Sequence, residues 1–96
     1  MSVRHAEQTV IIDEGTDDAF ALAQRVLDEI GTVSHVDLEG RFLQGTTRSG
    51  FQRVRVGITA RPTSRGTALV VEASSHGTRS QARKGVSRVV GALGVV

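Results

Sequence analysis

The sequence predicts an α+β fold, with one antiparallel five-stranded sheet and two helices on one face. Three observations lead there. Two segments, one near each end, carry apolar residues at helical spacing. Between them lie β-branched runs separated by short Gly-containing turns. A single set of hairpin registers brings nearly every apolar strand residue to one face.

The elements follow in order. Glu7–Asp13 reads as a strand because Val10, Ile11 and Ile12 are β-branched, and Glu14-Gly15 breaks it. Thr16 is placed as the N-cap of the first helix, with Asp17 and Asp18 in the first turn, where the helix dipole favours acids. Phe20, Ala23, Leu27 and Ile30 recur at helical spacing, flanked by Ala19 and Val26, and Gly31 stops the helix.

Four strands come next: Thr32–Leu38, Arg41–Arg48, Phe51–Arg61 and Gly66–Ser75. Their turns are placed at Glu39-Gly40, Ser49-Gly50 and Pro62–Arg65. Thr78 caps the second helix, with Gln81 completing a capping box, and Ala82, Val86, Val89 and Leu93 form its stripe. Gly85 inside that helix costs about 1 kcal/mol against Ala, which points to close packing on the sheet.

Those turns set the register. Leu43 faces Val56, Ile58 faces Leu69, and one face collects Val36, Leu38, Leu43, Val54, Val56, Ile58, Leu69, Val71 and Ala73. Strand one is placed beside strand five, giving the sheet order 2-3-4-5-1. The order strand–helix–four strands–helix resembles the TATA-binding-protein-like fold and a shortened helix-grip domain. That resemblance lies in topology, across the whole chain.

Composition sets the limits. Ninety-six residues make one domain, 1–96, large enough for a single core. There is no cysteine, which removes disulfides and thiolate metal sites. The N-terminus has no apolar signal-like run and no stretch reaches a membrane span, so a cytoplasmic location is expected. Charge is split along the chain. In residues 1–40 two bases minus nine acids give −7; in residues 41–96 ten bases minus one acid give +9.

The second sheet face carries the candidate binding residues. The register aligns His35, Gln44, Arg55 and Glu72 in one row, about 4.8 Å apart per strand. Arg55 is a fork for carboxylate or phosphate, and His35 is a titrating neighbour. The same row is also explained as a cross-strand Arg–Glu pair worth about 0.2–1 kcal/mol. Phe42, Val70 and Val33 are placed on that face, where a patch of apolar residues suggests a covering partner. Arg48 lies at one hairpin end, and Arg61 and Arg65 at the other. With Arg53 and Arg55 they form a local basic set that the acidic first helix, beyond a Debye length of about 8 Å, does not neutralise.

No nucleotide-binding glycine motif, nucleophile elbow or carboxylate dyad is present. The three histidines have no metal-ligand spacing, so no metal and no cofactor are expected. These observations lead to a non-enzymatic binding module. Its Arg-rich sheet face would meet an anionic partner, nucleic acid or acidic protein, or a second copy in a homodimer. The alternative is a carrier of a small apolar ligand, with a cavity between helices and sheet for which Gly45, Gly57 and Gly85 leave room.

Overall fold

The structure, a computed structural model, describes residues 4–49, 52–75 and 79–94. Strand β1 spans Arg4–Ile12, helix α1 Thr16–Ile30, and strands β2 to β5 Gly31–Asp37, Phe42–Ser49, Gln52–Thr63 and Gly66–Ser75; helix α2 spans Arg79–Ala92. All strands are antiparallel, in the order β1-β5-β4-β3-β2. This is the expected sheet order read from the other edge. No helix among the described residues is long and apolar enough to cross a membrane.

Both helices lie on the apolar face. Leu27, Leu43, Val54, Val56, Ile58, Leu69, Val71 and Val89 are wholly buried. Burying a side chain of this kind contributes roughly 1.5–3 kcal/mol. The stripes Phe20/Ala23/Leu27 and Ala82/Val86/Val89/Leu93 are buried as the helical spacing predicts. Two glycines bring the helices close. A Cβ on Gly45 would stand 2.9 Å from Leu27 Cδ2, and one on Gly85 would stand 2.7 Å from Val54 Cγ1. Two buried hydroxyls fasten α1 to the sheet. Thr67 Oγ1 donates to Glu14 O at 2.9 Å, just before the helix, and Thr47 Oγ1 donates to Ile30 O at 3.2 Å, at its end.

Several local expectations are corrected. Gly15, not Thr16, is the N-cap of α1, and no side chain caps it. Gly31 has extended backbone, and its need for glycine is the Thr46 carbonyl, against which any Cβ would collide. Leu38 leaves the core face: Asp37 Oδ1 accepts the Gly40 N–H at 3.1 Å, an Asx-type turn that holds residues 38–41 outside the sheet. Arg41 in that turn has φ 49°. A bulge between Val33 and His35 turns Val33 toward the core. The inserted Ser34 donates its hydroxyl to Gln44 O at 3.1 Å.

The two central hairpins are each shifted by two residues from the expected register. Leu43 pairs with Ile58, not Val56, and Ile58 pairs with Val71, not Leu69. The β4–β5 shift has a clear cause. Pro62 does not end the strand but continues it, paired with Thr67, and Thr63 pairs with Gly66. Proline is tolerated there because β4 has outrun β3, whose last pair at this end is Phe42 with Thr59, so its missing N–H faces no strand. On the other side Ser49 pairs with Gln52. The expected Ser49-Gly50 turn and the Thr78 cap fall partly or wholly outside the described residues.

Candidate functional site

A shift of two residues preserves the face of every side chain but changes its neighbours. The expected row His35–Gln44–Arg55–Glu72 is therefore not formed. His35 and Gln44 continue to Gly57, Glu72 and Glu7, while Arg55 sits one row away between Thr46 and Ser74. The eight candidate residues divide into three sets.

The first set faces a cleft at the end of the helix–sheet layer. Strand β2 begins at Gly31, opposite Thr47, so Arg48 lies past the start of β2 and the edge of β3 is uncovered there. Helix α2 reaches this edge, where Arg88 Nη1 donates to Arg48 O at 3.2 Å. Arg48 and Arg53 are directly opposed across β3 and β4. Between these groups and the end of α1 is a cleft of about 500 Å³. Glu29 and Ile30 of α1, Gly31 and Thr32 of β2, and Thr46 and Thr47 of β3 complete its wall. Three guanidiniums minus one carboxylate leave the lining at +2. Two like charges opposed across a ladder repel. An anion between them would convert that repulsion into charge-assisted hydrogen bonds.

The second set, His35, Gln44, Arg55 and Glu72, lies on the open sheet face, with His35 outside the depression formed there. Gly57 forms the floor of a depression of about 110 Å³, lined by His5, Phe42, Gln44, Arg55 and Glu72. A Cβ at Gly57 would stand 3.2 Å from Phe42 Cε1, so the ring leans over the missing side chain. Glu7 and Glu72 are directly opposed across β1 and β5. With His5 they bring one nitrogen and two carboxylate oxygens within 4.8 Å of one another, all exposed. The third set, Arg61 and Arg65, is at the far hairpin. Arg61 is eight residues from Arg53 along β4, about 26 Å at 3.3 Å per residue.

Of the cleft lining, Arg48 and Arg53 belong to the basic set expected from the sequence, whereas Arg88, Glu29, Thr46 and Thr47 are not among the candidates it singles out. Arg88 is recognisable as a base on the outer side of α2, but the end of the sheet it reaches is set by how the helix docks. His5 is absent from the sequence-based candidates because β-branched residues mark a strand only from Glu7, whereas β1 begins at Arg4. The acidic α1 and basic α2 do touch. The one ion pair among the described residues, however, joins Asp17 of α1 to Arg41 of the β2–β3 turn, at 3.2 Å.

No family model matches the sequence, and no curated protein matches it. Solved structures do. The Zhui aromatase/cyclase from Streptomyces sp. R1128 superposes with a TM-score of 0.59 at 14% identity, covering 97% of this chain and 87% of that one. The di-domain ARO/CYC StfQ from the steffimycin biosynthetic pathway gives 0.45 at 17% identity, covering 96% of this chain and 47% of that one. The expectation of a non-enzymatic module is corrected by this finding. It rested on the lack of a catalytic motif, yet an aromatase/cyclase is built on the same arrangement of strands and helices. The chain has the helix-grip-like α+β fold of that aromatase/cyclase.

Proposed function

We propose that this protein binds a small, oxygen-rich anionic molecule in the cleft between the end of α1, the start of β2, the β3–β4 ladder and α2. The observation that carries the reading is the convergence of Arg48, Arg53 and Arg88 on one cleft of about 500 Å³. Small-molecule sites typically occupy about 300–1,000 Å³. The reading is nearer to the small-ligand alternative than to a basic surface for a macromolecule, but the chemistry of the ligand changes. The space between helices and sheet is filled by Leu27, Val54, Val86 and Val89, leaving an aliphatic core rather than an apolar chamber. The room lies at the end of that layer, where hydroxyls and guanidiniums line it. Carboxylates, phenolates and phosphates match such groups, since arginine presents a planar fork to paired oxygens.

Isothermal titration of the protein with a panel of hydroxylated aromatic carboxylates tests the reading. Arg53→Ala is expected to weaken binding by at least about tenfold, the effect of losing a hydrogen bond to a charged group. Arg61→Ala, at the far hairpin, is expected to leave it unchanged. Equal losses from both variants would mean diffuse electrostatics rather than a site.

A further inference from the structure

We propose that the open sheet face is the interface of a homodimer, with Arg55 of each subunit seated in the Gly57 depression of the other. The face is unsuited to a polyanion. Apart from Arg48 and Arg53, which line the cleft at its end, its bases Arg55 and Arg61 share it with Glu7, Asp37 and Glu72, and the two glutamates lie in a middle row. It is instead complementary to itself. Arg55 and Gly57 are two residues apart on β4, the central strand of the five. A two-fold axis lying across β4 above Val56 exchanges these two positions. The partner's Arg55 then projects over the Gly57 floor, next to Glu72 and against the Phe42 ring that walls it. The same contact recurs in reverse, as an isologous interface requires.

The depression has the chemistry for that guest. Glu7 and Glu72 are opposed like charges, an unfavourable pair across a ladder, and among the described residues neither has an ion pair. Arg55 of the same subunit lies one row away and does not reach Glu72 as an ion pair. Beside the two carboxylates lies the His5 ring, with a nitrogen within 4.8 Å; a guanidinium from a second copy adds a permanent cation there, and an aromatic face adds a cation–π contact. Packed sheets cross at about 30°, which leaves the central strand in register and moves its neighbours by only a few ångströms. The size is sufficient. Five strands span about 24 Å, and positions 53–61 of β4 span about 26 Å. The face therefore buries roughly 600 Å² per subunit, within the lower range of specific interfaces. Ile11, 47% exposed at one margin, would gain cover.

The test is sedimentation equilibrium on wild type, Arg55→Glu, Glu72→Arg, and an equimolar mixture of the two variants. Wild type is expected to dimerise. Each variant alone sets like charges against each other twice, so its dimer dissociation constant should rise well over tenfold. In the mixture both contacts become Arg–Glu pairs, and the dimer should return. Thermal melting of each variant at wild-type temperature confirms that these exposed substitutions leave the fold intact. A wild type that stays monomeric at about 1 mM overturns the proposal. Variants that dimerise as wild type does, or a mixture that stays monomeric, overturn it equally.

Discussion

The two faces of the sheet respond differently to the same displacement. On the helix-covered face, moving β4 by two residues against β3 and β5 exchanges one aliphatic neighbour for another. Leu43 meets Ile58 in place of Val56, and both are wholly buried. On the open face the same displacement replaces Arg55 with Gly57 between Gln44 and Glu72. A row expected to hold a cation holds a depression instead. Packing depends on which face a residue occupies, whereas a binding site depends on which residues are adjacent.

Glycines on the two faces make the contrast measurable. Gly45→Ala, on the covered face, sets a Cβ against the Thr32 carbonyl and Leu27 Cδ2, neither of which has room to retreat. A loss of about 3 kcal/mol in denaturant unfolding is expected, the upper range for overpacking. Gly57→Ala, on the open face, meets only the half-exposed Phe42 ring, which can swing away. Its expected cost is within about 0.5 kcal/mol. Similar losses at both positions would remove the distinction between the faces.

Smaller effects sharpen it. Thr47→Val keeps the shape of a buried side chain but removes its hydrogen bond to Ile30 O. An unsatisfied carbonyl at the end of α1 should cost about 1–2 kcal/mol, read by the same unfolding assay. Asp17→Ala breaks the pair with Arg41, but Asp17 is 90% exposed and Arg41 40% exposed. The expected change in melting corresponds to about 0.5 kcal/mol or less, and it should vanish in high salt.

Much of the architecture was legible because alternation has a period of two. Val54, Val56 and Ile58 remain on the core face under any even displacement, so sheet order and core were readable without the correct turns. Turn chemistry was less legible. The Asp37 cap on Gly40 and the bulge at Ser34 are hydrogen bonds of particular side chains, and they remove Leu38 from the core and bring Val33 to it. Pro62 was read as a strand end because its place beyond the reach of β3 is a tertiary fact. The cleft was half legible. Arg48 and Arg53 belong to one hairpin, whereas Arg88 and Glu29 come from two helices whose docking no local pattern encodes.

The proposed ligand site is the polar cleft at the end of the helix–sheet layer, not the aliphatic core. Amide chemical-shift mapping of the labelled protein, titrated with a hydroxylated aromatic carboxylate, tests it most directly. Saturable shifts are expected to concentrate at Gly31, Thr32, Thr46, Thr47 and Arg48, with Val56, Val71 and Val89 unmoved. Shifts concentrated at those buried valines, or a panel that leaves the cleft amides unmoved, would contradict it.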